Sequence, residues 1–311
     1  MIEPLQPLRD DLFSIVYSEF EKDENKYEQY KSAMELALND IKEEAPEQPI
    51  KILFVGPGHG KLIDKLMELL QEFTYNIKIF AYEKNQICTQ TLHDKNVRFW
   101  NNQVHLTMAD VRDVESIVIP DILVSEMLGS FGDNEGCPEI LSRFNSPGCR
   151  PRIMIPQSYT SYLQPIYTPI EVPSNTRPYL VNLTRFYEVD EPTSVWTWEH
   201  PSSQLETREM SKELVFHNNS HGRRISGFYG YFTSNLYGHV SISINRIDVD
   251  RSNFCSSWYP IYFPVKAARL EKGEGITFTI NRYNDGKKVW YQWNYRGYTY
   301  NEDGAGYTIE L

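Results

Sequence analysis

An α/β domain with a parallel sheet, led by a helical segment and followed by a mostly antiparallel β domain, is the fold class this sequence predicts. Three observations predict it. Short apolar runs alternate with stretches of helical period up to about residue 155, a glycine-rich turn joins the first such run to the first such stretch, and the texture beyond Pro156 changes to β-branched and aromatic runs. A length of 311 residues also favours two domains over one. The expected boundaries are 1–45 for the helical segment, 46–155 for the Rossmann-like α/β domain and 156–311 for a β-barrel or β-sandwich domain.

The elements follow in order. Within the first 45 residues, Tyr27, Tyr30, Met34 and Leu38 recur at spacings of three and four, which places them on one helical face. KILFV at 51–55 reads as a buried strand that stops at Gly56, and Leu62, Leu66, Leu69, Leu70 and Phe73 then mark a helix over 60–73. IKIFAYE at 77–83 is a second strand with a helix around 86–93 behind it, QVHLTM leading to Asp110 a third, and DILVSE at 121–126 a fourth. Strands alternating with helices require right-handed crossovers and therefore a parallel sheet. In the second half, RISGFYGYF at 224–232, HVSISI at 239–244, GITFTI at 275–280 and KVWYQW at 288–293 read as strands, and NDGKK between the last two is a hairpin signal.

Charge excludes some functions. With 31 basic and 42 acidic side chains the formal net charge is −11, and no lysine or arginine block is present, so nucleic acid and anionic membranes are poor partners and cationic ones are favoured. Four cysteines, Cys88, Cys137, Cys149 and Cys255, form no CxxC pair and suggest neither a disulfide scaffold nor a metal site. The amino terminus lacks a basic region followed by an apolar one, and no apolar run approaches about 18 residues. A soluble, unsecreted protein of the cytoplasm and nucleus is expected.

Gly56-Pro57-Gly58-His59-Gly60 lies between a strand and a helix, where glycines permit a tight turn and close approach of a nucleotide. Its third glycine comes one residue earlier than in the dinucleotide fingerprint, which favours S-adenosylmethionine, a cofactor without pyrophosphate, over a nicotinamide dinucleotide. Glu83 ends the second strand, where a carboxylate can accept from both ribose hydroxyls, and Asp110 follows the third, where an adenine contact is expected.

The most informative segment is SEMLGSFGDNE at 125–135, which opens at the end of the fourth strand. It resembles the double-glutamate loop of the protein arginine methyltransferases, and most closely their symmetric-dimethylating branch. Further matches to that branch are PLQPL at 4–8, YSEFEKD at 17–23, AYEKN at 81–85, SWYPIYFP at 257–264, KKVWYQW and the terminal GYTIEL, so the resemblance spans nearly the whole chain. It implies a class I methyltransferase fold and transfer of methyl groups from S-adenosylmethionine, leaving S-adenosylhomocysteine, to arginine in basic, glycine- and arginine-rich segments such as histone tails and splicing proteins.

Paired carboxylates suit that task because a guanidinium is planar, permanently charged and carries five donors in a fixed fork. The resemblance makes Glu126 and Glu135 the catalytic clamp, with Glu135 the candidate acceptor of the released proton. It places Tyr17, Gly56, Gly58, Glu83, Lys84, Asp110 and Val111 beside the cofactor, and Tyr27 among the aromatic residues on the cofactor and substrate side. Phe20 stands where a phenylalanine directs the second methyl toward the symmetric product, and Trp258 where a tryptophan stacks on the guanidinium.

Pro57 and His59 replace a small residue and an arginine common in the family's glycine loop, and Val111 replaces a common methionine. His59 is expected to make cofactor binding depend on pH near its ordinary pKa of about 6.5. Members of this branch carry an amino-terminal barrel that docks a WD-repeat adaptor; these 311 residues contain none, so that contact is not expected. Whether the chain is a catalytic half or a naturally short form stays open. Homodimerisation through an arm of the β domain is the remaining expectation of partnership. Two other readings compete: a methyltransferase-fold scaffold that binds without turnover, and a nicotinamide-dependent oxidoreductase, which leaves Glu126, Glu135 and Trp258 without a role.

Overall fold

The computed structural model describes residues 1–44, 48–203, 209–218 and 223–311. The expected break between residues 45 and 46 lies outside these. Of the leading segment, residues Ser14–Phe20 (α1) and Glu24–Glu44 (α2) are helical, while the first thirteen residues are not, and Ile2 instead forms an isolated bridge with Leu180. The stripe foreseen on α2 is present: Tyr27, Tyr30, Met34 and Leu38 are buried together with Ala33, Ala37 and Ile41. Apolar residues at that period cover one face of a helix and supply the driving force for docking it.

Strands β1 (Ile50–Val55), β2 (Ile77–Glu83), β3 (Val104–Met108), β4 (Ile122–Ser125) and β5 (Ile153–Ile155) form a parallel sheet in the order β3-β2-β1-β4-β5. Helices α3 (Lys61–Glu72) and α4 (Thr89–Arg98) make the first two crossovers. Chain order reverses between β1 and β4, which pair directly with Val55 opposite Ser125. Such a switch point opens a crevice at the carboxyl ends of the strands, and the turns after β1, β2, β3 and β4 all lie there.

The remainder is antiparallel. A seven-stranded sheet is built around β6 (Ser158–Tyr167), β11 (Arg224–Tyr237) and β13 (Ile261–Arg269), with β7 (Tyr179–Leu180), β8 (Tyr187–Glu188), β9 (Thr193–Glu199) and β12 (Val240–Ser243) at its margins. A five-stranded sheet comprises β10 (Met210–His217), β14 (Gly275–Asn284), β15 (Lys288–Tyr295), β16 (Tyr298–Tyr300) and β17 (Ile309–Glu310). The foreseen hairpin joins β14 to β15, with Asn284 opposite Val289.

Among the described residues the two larger cores both cross the junction. The first runs from the parallel sheet through α2 into Tyr159, Tyr231, Phe232 and Ile242 of the antiparallel half. The second lies between the antiparallel sheets, yet contains Phe131 from the loop after β4, packed edge-on against Trp196, Phe263 and Tyr291. That loop is therefore held by both halves.

Candidate active site

A cavity of about 630 Å³ opens at the carboxyl ends of the parallel strands and is roofed by α1, the start of α2 and the segment around Trp258. Every residue expected beside the cofactor or substrate, Tyr17, Phe20, Tyr27, Gly56, Gly58, Glu83, Lys84, Asp110, Val111, Glu126, Glu135 and Trp258, lines it. Its volume suits a small organic molecule together with an inserted side chain.

At one end is the glycine turn. Gly56 and Gly58 hold φ of +66° and +58°, a region that favours glycine, and a Cβ on Gly58 would stand 2.8 Å from the Tyr17 ring. The turn is fastened by Glu83: Gly58 N–H donates to its Oε2 (2.8 Å) and Asn85 N–H to its Oε1 (2.7 Å). Burial raises the Glu83 carboxyl above its ordinary value, against the pull of these two bonds. A carboxylate offers about four acceptor positions, so two remain for hydroxyl donors. The Tyr17 hydroxyl accepts from Asn85 Nδ2 (3.0 Å), which fixes the ring over the turn.

Asp110 differs from the simple expectation of an adenine acceptor. Arg112 donates to it from its backbone N–H (2.9 Å), from Nε (3.0 and 3.2 Å) and from a terminal nitrogen (2.8 Å). Burial alone would push this carboxyl up, but the Arg112 donors hold it below its ordinary value. His59 also departs from expectation. Its Nε2 lies 3.3 Å from Ser14 Oγ and its ring packs on Tyr17, and burial lowers its pKa, with Glu21 opposing, so any titration falls below the range near 6.5 foreseen for it. Lys84 points toward Asp11, 3.9 Å away, and Val111 is buried.

The other end is built from the loop after β4. Gly129 and Gly132 exchange backbone hydrogen bonds (3.1 and 2.8 Å), Asn134 Oδ1 accepts from Phe131 N–H (2.6 Å), and the loop closes into α5 (Cys137–Leu141). Its outer side is fastened by ions: Arg282 of β14 donates from Nε to Asp133 (2.5 Å) and from a terminal nitrogen to Glu139 (2.7 Å), with all three side chains buried. Trp196 Nε1 donates to Asp133 as well (3.2 Å). Removing a charge from such a buried cluster leaves its partners uncompensated, so the cluster fixes the hairpin that separates the two glutamates.

Those glutamates are treated differently. Glu126 Oε2 accepts from Lys26 Nζ at 3.1 Å and its Oε1 from Leu128 N–H at 3.4 Å. No hydrogen bond among the described residues reaches the Glu135 carboxylate. Burial drives the Glu135 carboxyl well above its ordinary range, the charge of Glu126 adds to the rise, and Lys26 opposes it. Two nearby carboxylates in a sheltered site resist ionising together unless a cation joins them.

Asp23 helps tie down the roof. Asp23 accepts from Ser256 N–H (2.7 Å), Ser257 N–H (2.8 Å) and Ser257 Oγ (2.8 Å), joining the turn between α1 and α2 to the segment that carries Trp258. Trp258 Nε1 donates to Leu128 O (2.7 Å), so its ring is set beside Glu126. Sequence reasoning missed three contributors: Asp23, the Arg282 cluster and Lys26. The last left a signal, because Lys26 stands four residues before Tyr30 and falls on the apolar stripe of α2, an unusual place for an unneeded charge.

Known proteins resemble this chain in both of its halves. A family model described as PRMT5 arginine-N-methyltransferase matches residues 1–155, and one described as PRMT5 oligomerisation domain matches residues 158–309. The chain is 35% identical over 338 residues to protein arginine N-methyltransferase 5 of Xenopus laevis, covering 99% of this chain and 52% of that protein. It is 30% identical over 326 residues to the Drosophila melanogaster protein of the same name, covering 99% and 53%. The chain thus spans about half the length of the curated relatives it matches. Among solved structures it is similar to the Trypanosoma brucei PRMT1 enzyme-prozyme heterotetrameric complex with AdoHcy, with a TM-score of 0.71 and 13% identity over 91% of this chain and 96% of that one. It is also similar to Arabidopsis thaliana protein arginine methyltransferase 10, with a TM-score of 0.70 and 13% identity over 96% and 98%. At that identity the likeness concerns the fold.

Proposed function

The chain belongs to the PRMT5 arginine-N-methyltransferase family, and from that premise we propose that it transfers methyl groups from S-adenosylmethionine to arginine in basic, glycine- and arginine-rich protein segments, giving monomethyl and symmetric dimethyl arginine. One observation carries the reading: two carboxylates from a single anchored loop, Glu126 and Glu135, face one cavity together with the Trp258 ring. A neutral ligand gives this pair no reason to exist, whereas a guanidinium supplies the cation and the paired donors that both carboxylates need.

The opposite end fits the cofactor. Glycines held left-handed under the Tyr17 ring allow close approach to the backbone, and Glu83 retains acceptor capacity for ribose hydroxyls. When bound, S-adenosylmethionine supplies an electrophilic methyl group, the new N–C bond forming as the S–C bond breaks and the nitrogen losing a proton. The chain's own residues do the rest. Glu126 and Glu135 draw the guanidinium charge toward the nitrogens they grip and aim the remaining one. Trp258 presents a ring face to the cation, a contact of about 0.5–2 kcal/mol. Glu135, whose carboxyl is raised by burial, is the acceptor for the released proton. Phe20, on the cavity wall, limits where the second methyl can go. The presence of an oligomerisation-domain match supports self-association through the antiparallel half; sedimentation as a monomer alone at micromolar concentration would count against it.

Mass spectrometry of a glycine- and arginine-rich peptide incubated with S-adenosylmethionine tests the assignment, with Glu126→Gln and Glu135→Gln as controls and fragment ions separating the two dimethyl isomers. Symmetric product lost in both variants is expected. Asymmetric product would remove the role given to Phe20, and no product despite cofactor binding would favour a scaffold.

A further inference from the structure

PLQPL at 4–8 and GYTIEL at 306–311 stand far apart in the sequence and receive no role in the proposed reaction, yet the fold brings them together. One edge of β17 pairs with β15, with Ile309 opposite Val289 and Leu311 N–H donating to Lys287 O (2.9 Å). The other edge is occupied by a side chain. Gln6 is buried, its Nε2 donates to Thr308 O (2.6 Å) and its Oε1 accepts from Glu310 N–H (3.2 Å), so a single amide pairs with the strand as a neighbouring backbone would. The turn before the strand is fastened too: buried Asn301 accepts from Gly306 N–H (2.8 Å) and Tyr307 N–H (2.9 Å) and donates to Tyr307 O (2.8 Å).

Two residues beyond Gln6, Leu8 packs on Gly136, the residue after Glu135. A Cβ on Gly136 would stand 2.4 Å from Leu8 Cδ1 and 3.8 Å from Leu311 Cδ2, and its φ is +81°. The chain turns at this glycine from Glu135 into α5, so the seat of Gly136 sets where Glu135 stands. We propose that Gln6 is a positioning residue for Glu135: by taking a strand's place beside residues 308–310 it seats Leu8 and Leu311 on Gly136 and thereby aims the second carboxylate. The inference rests on the arginine reading of the cavity and deepens it, naming what holds Glu135 in register with Glu126. Arg282 anchors the loop on either side of Gly136, through Asp133 and Glu139, and the Gln6 pairing supplies the contact between those anchors. A misplacement of about 1 Å caused far from the chemistry can cost about a hundredfold in rate, so two remote hydrogen bonds suffice to govern the grip.

The test is calorimetric titration of wild type, Gln6→Leu, Gly136→Ala and the double variant Gly136→Ala with Leu8→Ala, using a glycine- and arginine-rich peptide and its lysine counterpart in saturating S-adenosylhomocysteine. Gln6→Leu should weaken the arginine peptide by about tenfold, the scale of two lost hydrogen bonds, while lysine-peptide and S-adenosylhomocysteine affinities stay within about twofold. General loosening of the fold would not give so selective a loss. Gly136→Ala should lower the same preference, and removing Leu8 beside it should restore part of the loss, because the added methyl and Leu8 claim the same space. Gln6→Leu keeps the proposal falsifiable where the glycine variant fails to fold. An arginine preference in Gln6→Leu equal to wild type, equal weakening of both peptides, or no recovery in the double variant overturns the positioning role. A wild-type protein that does not favour arginine instead defeats the arginine reading, and the inference with it.

Discussion

The two ends of the cavity satisfy their carboxylates in opposite ways. At the cofactor end, Glu83 is gripped by the N–H groups of Gly58 and Asn85, and Asp110 by Arg112, all donors from nearby turns. At the substrate end, Glu126 accepts from the Lys26 head and at 3.4 Å from Leu128 N–H, and no hydrogen bond among the described residues reaches Glu135. The lesson is one of economy of motion: the first end is preorganised, its acceptors aimed before anything binds, while the second is left short of a cation that a ligand must bring. Preorganisation lowers the cost of binding, and unmet charge supplies selectivity.

The comparison can be broken from outside inward. The largest effect is expected from Arg282→Met, which strands Asp133 and Glu139 in the interior and should lower unfolding free energy by about 3–5 kcal/mol in a denaturant titration. A loss under 1 kcal/mol would mean that the loop is not held by this cluster. Next comes Glu83→Gln. Both carboxylate oxygens receive backbone N–H groups, so the amide nitrogen must face a donor, and S-adenosylhomocysteine affinity should fall about tenfold or more, since bonds to charged groups contribute roughly 1.5–3 kcal/mol. Unaltered affinity would show the fastening to be dispensable.

Glu135→Gln should move stability the other way. A carboxyl whose folded pKa is raised contributes stability that is present below its unfolded pKa and lost as pH rises through the folded one. The variant should therefore melt higher than wild type on the alkaline side, with the difference closing as pH falls toward the ordinary glutamate range. A difference independent of pH would contradict the cause assigned to the shift. His59→Gln should have the smallest effect. With the histidine pKa lowered by burial, cofactor affinity should match wild type above about pH 7 and separate only in acid, where protonating the wild-type ring costs stability as pH falls through its folded value.

The parallel sheet was legible because each strand is a local apolar run bounded by a turn: KILFV and IKIFAYE coincide with β1 and β2 to within a residue. Strands such as β7 and β8, two residues each, exist only through pairing with distant partners and left no local pattern. At the site the same division holds. Residues at strand ends and in SEMLGSFGDNE could be named because topology gathers the carboxyl ends of parallel strands. Arg282 pairs with Asp133 across 149 positions and Asp23 with Ser257 across 234, and no periodicity reports such contacts. Lys26 was overlooked for a different reason: its place on the apolar stripe was visible, but its meaning depends on Glu126, a hundred residues away.

The most direct measurement is the ratio of affinities for the arginine peptide and its lysine counterpart, taken for wild type and for Glu135→Gln in saturating S-adenosylhomocysteine. If two carboxylates together recognise a guanidinium, wild type should prefer arginine by about tenfold or more, as expected for an added charge-assisted bond of roughly 1.5–3 kcal/mol, and Glu135→Gln should lose most of that preference. A preference that survives intact in Glu135→Gln would show that the second carboxylate does not grip the substrate.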